Sequence, residues 1–430
     1  MRGRAVAVTG MGMVTPLGRD LAENLAGVSE GRTGIGLLEG SEGWPEHLRY
    51  AGKIRELPPL GDIGRKLTSQ MKFLNRGSTL GFHSAREAVE GSGIDLEGVR
   101  PERRALYVAS GDFTKIDHAF LYPAIKDATG GKWEDVDQAK LNASTLGKVN
   151  PFFLLESIAN NLFSFLSAFF GFMGPNTSLS SLSPCGSNAV ELAARAVAQG
   201  RADAALAVGC GSWINEVSLL ELDGLGVLSR SKEGPASFRP LDARRDGFVP
   251  GEGGAALLLE DEESARARGA RIFGRVTGLG NRIEHTGGRG FTIPEGVNTR
   301  SVEEALADAG LGPGQLSLVV AHGSATQRGD RSELGSIAAA LGDSARRVPL
   351  CALKPYTGHM GAASDVAEIV FGLEALASVS APGTPNFGSA DGEFGGMRIS
   401  ASPQPCGGKA LLSISYGVGG QSSTVVVEAG

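Results

Sequence analysis

The chain has 430 residues, of which 41% are hydrophobic, 6% are aromatic and 64 are glycine, and its formal net charge is −6. This composition is typical of a compact, turn-rich enzyme and argues against a fibrous or disordered chain. The acidic balance provides no general attraction to nucleic acid or to an anionic membrane surface, so we expect neither as a partner.

The N-terminal residues MRGRAVAVTG predict a strand that runs into a tight turn. Basic residues precede an apolar stretch, as they do in a signal peptide, but glycines interrupt it and no small-residue cleavage site follows promptly. The four cysteines, Cys185, Cys210, Cys351 and Cys406, are far apart and lack the CxxC spacing of zinc or redox sites. We therefore predict reduced thiols in a cytoplasmic protein.

Two segments of the first half stand out by composition. Residues 112–150 are polar, irregular and rich in Lys and Asp, so we predict an excursion from the compact fold. Residues 151–175 are apolar and long enough to span a bilayer, yet Glu156, Asn160 and Asn161 fall within them. Because a spanning helix would have to desolvate these side chains, we predict a buried helix and no membrane span.

An internal repeat is the clearest sign of how the chain is organised. Residues 8–12 (VTGMG) reappear as residues 276–280 (VTGLG), each time after a basic lead-in with strand character. A second correspondence links two short apolar runs, residues 204–209 and 318–323, which are typical of strands buried on both faces. Length alone would suggest about three domains, but the repeat favours fewer.

A helical pattern precedes each of these apolar runs, at residues 189–199 and 302–309, and ends at a glycine. Strands that alternate with helices predict βαβ units with mostly parallel sheets. We therefore predict an α/β protein of two pseudo-repeated halves, residues 1–262 and 270–430, packed on one another. The charged stretch between them, residues 261–269, would form a surface link.

The sequence around Cys185 (SPCGS) favours a nucleophile over a structural thiol. Cys185 stands between an apparent strand, residues 176–182, and an alanine-rich helix that starts after Gly186. The dipole and the free N–H groups of that helix would lower the pKa of the thiol and bind a developing oxyanion. The other cysteines have no such setting, and we interpret them as small buried hydrophobes.

Two histidines and a lysine lie at further junctions between strands and loops. His322 ends a buried apolar run, and His359 closes the loop before a helical pattern at residues 362–375. A lone histidine in such a place is more often a satisfied core group. Two of them matched with a thiol suit acyl-thioester chemistry, in which paired imidazoles stabilise an enolate. Lys354 is flanked by apolar residues, and a buried ammonium needs a carboxylate partner, for which Glu333 is our candidate.

Other catalytic signatures are incomplete. Gly10 and Gly12 follow a strand as in a dinucleotide-binding fingerprint, but Thr15 occupies the third glycine position. The sequence contains neither HExxH nor a complete Walker motif, so it supports neither a zinc protease nor a P-loop nucleotide enzyme.

These motifs, in this order, resemble the β-ketoacyl-acyl-carrier-protein synthases, specifically the elongating synthase II type and its type II polyketide ketosynthase relatives. The resemblance runs nearly end to end and is carried by VAVTGMGMVTPLG, SPCGSNAVELAARAV, FRPLDARRDGFVPGEGGAALLLE, AHGSATQRGDRSE, LKPYTGHMGAA and SISYGVGGQSS. It implies the thiolase fold, in which two similar α/β halves stack as a five-layer αβαβα structure, normally in a dimer.

The resemblance implies a role for each residue of the thiol and imidazole set. Cys185 matches the acyl-accepting nucleophile. His322 and His359 match the pair that supports decarboxylation and holds the enolate. Lys354 and Glu333 match the charged groups that order the site.

The resemblance also implies three binding features around that set. The backbone N–H groups of Cys185 and Val418 match an oxyanion hole. The hydroxyls of Ser324 and Thr326 match groups that hydrogen-bond the pantetheine arm. Arg65 and Lys66 fall in a segment that docks the acidic carrier protein in relatives, and an ordinary solvated helix face is the alternative interpretation.

Several positions depart from the family pattern. Tyr416 and Val418 stand where relatives have two phenylalanines, so the aromatic gate over the nucleophile is changed. Asp112 falls near a position that is apolar in the fatty-acid enzymes and lines the acyl pocket. Pro184 replaces a small residue, and residues 421–422 (Gln-Ser) replace Thr-Asn. Together these departures argue against a housekeeping fatty-acid synthase and favour a specialised, polyketide-type substrate.

The resulting hypothesis is a decarboxylative Claisen condensation between an acyl group held on Cys185 and a malonyl unit on an acyl carrier protein. It implies no metal and no cofactor of the enzyme's own, because the substrates arrive on the phosphopantetheine of the carrier. A homodimer and a heterodimer of ketosynthase and chain-length factor both fit the resemblance.

Two alternative functions come from other classes. A non-catalytic subunit akin to a chain-length factor would shape the tunnel of a heterodimer, but such subunits characteristically lose the cysteine. A degradative thiolase would carry a second cysteine near its C-terminus, and the matching loop, residues 415–420, has none.

Overall fold

The structure is a computed structural model that describes residues 3–111, 120–149, 151, 160–285 and 292–430. Its strands are β1 Val6–Val14, β2 Ile35–Leu37, β3 Tyr50–Gly52, β4 Arg104–Ser110, β5 Asn176–Ser180, β6 Ala204–Ser212, β7 Glu252–Asp261, β8 Gly274–Ile283, β9 Leu316–Ala321, β10 Pro349–Ala352, β11 Ser380–Ala381, β12 Arg398–Ile399, β13 Gln404–Pro405, β14 Ala410–Tyr416 and β15 Gln421–Ala429. Its α-helices are α1 Leu21–Ser29, α2 Arg65–Thr68, α3 Arg76–Ser92, α4 Tyr122–Ala128, α5 Gln138–Lys148, α6 Asn161–Phe170, α7 Cys185–Ala198, α8 Glu216–Gly224, α9 Glu262–Ala267, α10 Thr299–Ala309, α11 Gln327–Leu341, α12 Lys354–Thr357 and α13 Ala362–Ala377.

Eleven strands form one hydrogen-bonded sheet with two mirror-related sets. Strands β1 and β8 pair antiparallel at its centre, with Val6 opposite Val276. Outward from β1 follow β7, β6, β4 and β5, and outward from β8 follow β15, β14, β9 and β10, with β12 beyond them. The strands that contain the repeated VTGMG and VTGLG sequences therefore hold equivalent places, which confirms that the fold is built from two pseudo-repeats.

The second correspondence that we expected from sequence is wrong. The run at residues 204–209 lies in β6, whose counterpart in the mirror order is β14, and the run at 318–323 lies in β9, whose counterpart is β4. All of these strands are short, apolar and buried on both faces, so composition does not distinguish them. Only their place in the sheet does.

Glycines in the repeated motif allow a helix to lie directly on each central strand. A Cβ atom on any of the four glycines would collide with a backbone oxygen of α3 or α10. In each half the two oxygens belong to residues four apart, one helical turn, so the helix runs along the strand. The colliding pairs are Gly10 with Ala88, Gly12 with Ser84, Gly278 with Ala305, and Gly280 with Ser301. The helix equivalent to α10 is therefore α3, not the pattern at 189–199.

Five layers result from how the helices cover the sheet. Helices α7 and α13 contact each other and strands of both sets, so they lie between the two sets. On the outside, α3 packs on β1, β6 and β7, and α10 packs on β8 and β15. This αβαβα order confirms the predicted thiolase-like fold class, while the bounds 1–262 and 270–430 of the two halves stay a prediction.

The two segments singled out by composition behave differently. Within residues 151–175 the described helix is α6, which packs against α3 and β4 through Leu162, Phe165 and Leu166, while residues 152–159 lie outside the described part. No helix in the described residues is long and apolar enough to cross a membrane. The segment 112–150 is not irregular where it is described, because α4 and α5 form there and pack on each other.

Candidate active site

Cys185 is the first residue of α7, after the loop that follows β5. Its thiol is 3% exposed and donates to the carbonyl oxygen of Ser181 at 3.0 Å. The strand-to-helix junction that we predicted is therefore present, although the strand ends at Ser180 and the helix begins at the cysteine itself. The three other cysteines are also buried.

A carboxylate that the sequence analysis did not identify lies against the start of α7. Asp365 accepts hydrogen bonds from the hydroxyl of Ser183 at 2.8 Å and from the N–H of Gly186 at 3.1 Å. Burial, and then the charge of Asp365, raises the pKa of the Cys185 thiol to about 12. The expected lowering of that pKa by the helix is therefore wrong, and the resting sulfur is a thiol at neutral pH.

His322 follows the end of β9 and is held by Lys354. The ammonium of Lys354 lies 3.2 Å from Nδ1 of His322 and donates to its carbonyl oxygen at 2.6 Å. Because an ammonium has only donor hydrogens, Nδ1 of His322 is the acceptor in the first contact. The neutral ring then carries its proton on Nε2.

His359 is held by its own loop and by neighbouring backbone. Its backbone N–H donates to the carbonyl oxygen of Val249 at 2.8 Å, and its backbone carbonyl accepts from the N–H of Gly251 at 2.9 Å. The N–H of Gly361 donates to Nδ1 of the ring at 3.2 Å. This ring therefore also carries its proton on Nε2 when neutral.

The two imidazoles form a pair of neutral N–H donors. The centroids of the His322 and His359 rings are 5.2 Å apart at an interplanar angle of 72°. Burial, and then the charge of Lys354, holds the pKa of both rings well below the usual range. Two neutral Nε2–H groups in one cavity can donate to a single oxygen that gains negative charge.

The structure corrects the proposed partner of Lys354. Its Nζ contacts Glu368 Oε1 at 2.8 Å, and the two side chains are 1% and 2% exposed. Glu333 instead accepts from the N–H groups of His322 at 2.6 Å and Gly323 at 2.9 Å. Glu333 thus fixes the backbone of the loop that carries His322, and Glu368 balances the charge of Lys354.

Ser324 and Thr326 belong to a hydroxyl cluster beside His322. The Oγ of Ser324 lies 2.8 Å from Thr326 Oγ1, 2.9 Å from the Tyr416 hydroxyl and 3.1 Å from Asp330 Oδ1. The ring of Tyr416 packs on His322 with centroids 4.4 Å apart. The buried ring of Tyr416 therefore packs against His322 and restricts its position, while the Tyr416 hydroxyl forms a hydrogen bond with the Ser324 hydroxyl.

Val418 lies in the loop between β14 and β15 and is 38% exposed. That loop approaches the segment before the nucleophile, because a Cβ on Gly417 would collide with the carbonyl oxygen of Ser183. Within the described residues, the N–H of Val418 has no hydrogen-bond partner. The pairing of this N–H with that of Cys185 as an oxyanion hole stays a prediction.

A cavity of about 360 Å³ lies beside the two imidazoles and the hydroxyl cluster. Leu182 and Ser183, just before Cys185, line it, whereas Cys185 itself is not among the lining residues. Both imidazoles line the cavity, together with the predicted residues Ser324, Thr326, Tyr416 and Val418. Aromatic rings of Trp213 and Phe248 pack on His359 with centroids 4.7 and 4.9 Å away and also line the cavity. The cavity is thus apolar around the imidazoles and polar on the side of the hydroxyl cluster.

Other predicted residues of the described part do not line this cavity, namely Cys185, Lys354, Glu333, Arg65 and Lys66. Arg65 and Lys66 lie on the exposed helix α2, outside the residues that line it, and their docking role stays a prediction. Asp112 falls outside the described residues, so its place near an acyl pocket stays a prediction as well.

Several residues of the site were missed by the sequence analysis. Asp365 and Glu368 are buried carboxylates three residues apart on α13, which is otherwise mostly apolar. Two acids in an apolar helix signal buried partners, and that pattern could have identified them. Trp213 and Phe248 carry no comparable signal, because buried aromatic residues usually belong to the core.

The fold and this site define a condensing enzyme that works on acyl thioesters, and comparison with known families agrees. The family model described as Beta-ketoacyl synthase, N-terminal domain, matches residues 3–265, and the corresponding C-terminal domain matches residues 275–388. The chain belongs to the β-ketoacyl synthase family and is an acyltransferase-type enzyme.

Individual relatives match over almost their whole length. A protein of Streptomyces halstedii named as a polyketide beta-ketoacyl synthase is 32% identical, over 99% of this chain and 98% of the relative. A 3-oxoacyl-[acyl-carrier-protein] synthase 2 of Synechocystis is 28% identical, over 98% and 97%. Among solved structures, a beta-ketoacyl synthase of Burkholderia phymatum has a TM-score of 0.84 at 26% identity, covering 99% of this chain and 100% of that chain.

One further neighbour is relevant to the fold. A type II polyketide ketosynthase, solved in complex with its acyl carrier protein, covers 100% of both chains with a TM-score of 0.83 at 24% identity. At that identity the likeness shows the shared fold.

Proposed function

We propose that this protein catalyses the decarboxylative condensation of an acyl group on Cys185 with a malonyl unit on an acyl carrier protein. The observation that carries the proposal is the pair of neutral imidazoles, each with Nδ1 engaged and Nε2–H left for a ligand, in one cavity beside the start of α7. Their geometry suits an enolate oxygen.

The first step is acyl transfer to the thiol. The sulfur of Cys185 attacks the carbonyl carbon of the acyl thioester, and the carrier thiol leaves with the proton that the cysteine gives up. The buried setting of Cys185 disfavours a thiolate but suits a thioester, which is uncharged. An acyl-enzyme is therefore better accommodated at this position than the free thiolate.

The second step forms the carbon–carbon bond. The malonyl group loses carbon dioxide, and the electron pair of the broken bond becomes an enolate whose oxygen accepts from the two Nε2–H groups. The enolate carbon attacks the acyl carbonyl, the tetrahedral intermediate expels the sulfur of Cys185 as a thiolate, and the thiolate takes up one proton from solvent. The product is a 3-oxoacyl thioester on the carrier.

The remaining groups keep the imidazoles in the required state. The ammonium of Lys354 favours the neutral form of His322, and Trp213 and Phe248 surround His359 with apolar surface. A protonated imidazole could also donate from Nε2. Its positive charge, however, would be buried in this apolar setting, which is unfavourable. Neutral donors also leave the enolate more nucleophilic than a full cation would.

The partners of this reaction follow from its substrates and from the relatives. We propose an acyl carrier protein as donor and acceptor and no cofactor of the enzyme's own, since the substrates are carried on the phosphopantetheine of that carrier. We also propose a dimer, either homomeric or with a chain-length-factor-type subunit. Among the described strands, β5 is one of the two that end the sheet and is only partly buried, which supports this edge as the place where a second subunit packs. The relatives named for polyketide synthesis support a specialised acyl chain.

The test separates the two half-reactions. With an acyl carrier protein, intact mass of the wild-type protein should increase by one acyl group, and Cys185→Ala should gain none. With malonyl carrier protein alone, Cys185→Ala should still release carbon dioxide because both imidazoles remain, whereas His359→Ala should not. An acyl adduct on Cys185→Ala would contradict the proposal.

A further inference from the structure

The cavity that contains the two imidazoles is lined, among the described residues, by one positively charged side chain. Among the described residues that line it, Arg328 alone carries a full charge, because both histidines are neutral and the rest are apolar or uncharged. Arg328 is exposed and also borders the neighbouring surface cavity, so it stands at the mouth. A permanent cation is thus placed where a ligand must enter.

No carboxylate within the described residues neutralises Arg328. Its Nε donates to the carbonyl oxygen of Ile293 at 2.6 Å, across the mouth from α11. Two other arginines that line the neighbouring surface cavity are both paired, Arg331 with Glu393 at 3.0 Å and Arg245 with Asp391 at 2.8 Å. The bond to Ile293 fixes the side chain and leaves the two terminal nitrogens of the guanidinium for a ligand.

The stability of α11 does not explain this arginine. Arg328 is the second residue of α11, with Thr326 as N-cap. A cation in the first turn is opposed by the helix dipole, which favours acidic residues there. A cation at this position therefore destabilises α11, and binding of a negatively charged ligand would explain why an arginine is found there.

Given the proposed function, whose substrates arrive on phosphopantetheine, we propose that Arg328 binds the phosphate of that arm at the mouth of the cavity. The thioester end of the arm must reach the buried Cys185, so the opposite end, which carries the phosphate, remains outside. A guanidinium with two free terminal nitrogens matches phosphate oxygens in charge and in geometry.

The experiment compares donors that differ in one group. Acylation of Cys185 is followed by intact mass with an acyl-pantetheine, which lacks the phosphate, and an acyl-phosphopantetheine with the same acyl chain. In Arg328→Ala the ratio of kcat/KM for the phosphorylated donor to that for the unphosphorylated donor should fall about tenfold, the value of one charge-assisted hydrogen bond. The loss should appear in KM, and Arg328→Lys should restore part of the ratio.

Arg331→Ala is the matched control, because it removes a cation from the same helix that is paired with Glu393 and lies outside the cavity lining. Its ratio should equal that of the wild type. An unchanged ratio in Arg328→Ala, or an effect seen only with the intact carrier protein, would overturn the assignment. If no donor acylates the wild-type protein, the proposed function itself fails, and the two failures are thereby distinguished.

Discussion

At the scale of single residues, Lys354 and Glu368 form a buried ion pair beside His322. Both side chains are almost fully buried, and each needs the other because an unpaired charge in such a place is heavily penalised. Burial raises the pKa of Glu368, and the ammonium of Lys354 opposes that rise. Lys354 also contacts Nδ1 of His322. The ion pair therefore affects both the stability of the fold and the protonation state of the His322 ring.

We predict that Glu368→Gln lowers the free energy of unfolding by about 3 to 5 kcal/mol, the usual cost of breaking a buried ion pair. The amide cannot neutralise the ammonium of Lys354, which remains buried. The double variant Lys354→Met with Glu368→Met should recover most of the lost stability, because neither charge is then buried. Denaturant unfolding followed by circular dichroism measures both values.

The double variant also distinguishes stability from catalysis. It should be folded yet release carbon dioxide from malonyl carrier protein far more slowly, because the donor that engages His322 Nδ1 is gone. Full stability in the single variant Glu368→Gln would show that the pair is not needed, and full decarboxylation in the double variant would show that Lys354 does not position His322.

The sequence singled out Cys185, His322, His359 and Lys354 as candidates, but it did not predict the electrostatics around them. Glu333 and Glu368 are both buried acids on helices, and only the three-dimensional path of α13 places Glu368, not Glu333, against Lys354. The same limit explains the wrong pKa direction for Cys185. A helix start is visible in sequence, whereas the burial and the facing Asp365 that outweigh it are tertiary features.

At the scale of elements, the repeated glycines set the distance between a central strand and its covering helix. In β8 the backbone of α10 lies so close that a side chain on Gly280 would meet the carbonyl oxygen of Ser301. Glycine is therefore required there for close approach and not for a special backbone dihedral. The repeat was visible in sequence because this requirement recurs in both halves.

We predict that Gly280→Ala lowers the free energy of unfolding by about 1 to 3 kcal/mol, the range for overpacking a core. Its new methyl group must push α10 away from β8, since the obstacle is backbone and not a flexible side chain. Gly91→Ala is the matched control, because nothing lies within 4 Å of the added carbon in α3. That variant should be neutral or stabilising by roughly 0.5 kcal/mol. Equal destabilisation of the two variants in urea would contradict this account.

Assignment of the other strands from sequence failed for a related reason. The runs at 204–209 and 318–323 are both short and apolar and both follow a helical pattern that ends at a glycine, so they look equivalent. Their actual counterparts in the mirror order, β14 and β4, share no repeated sequence with them that would reveal the correspondence. Hydrophobicity predicts that a strand is buried, but the order of parallel strands depends on the crossover path of the whole chain.

At the scale of the whole molecule, the two halves share one core. Helix α13 buries every residue except Glu374 and Ala377, and it contacts β6 and β7 of the first set as well as β9 and β14 of the second. Helix α7 likewise contacts β15 of the opposite set. Neither half can therefore bury its own central helix without the other, although each resembles a complete α/β unit in sequence.

We therefore predict that the fragments 1–268 and 269–430 do not fold separately but assemble when they are co-expressed. The cut falls after α9, where Arg268 and Gly269 are exposed, so it removes no core contact. Alone, the second fragment would expose the apolar face of α13 that now meets β6 and β7, and it should show no cooperative thermal transition. Together, the fragments should copurify in a 1:1 ratio and accept an acyl group on Cys185, because the thiol and the imidazoles come from different fragments. A sharp unfolding transition for residues 269–430 by themselves, measured by calorimetry, would show that the shared core is not what holds this half together.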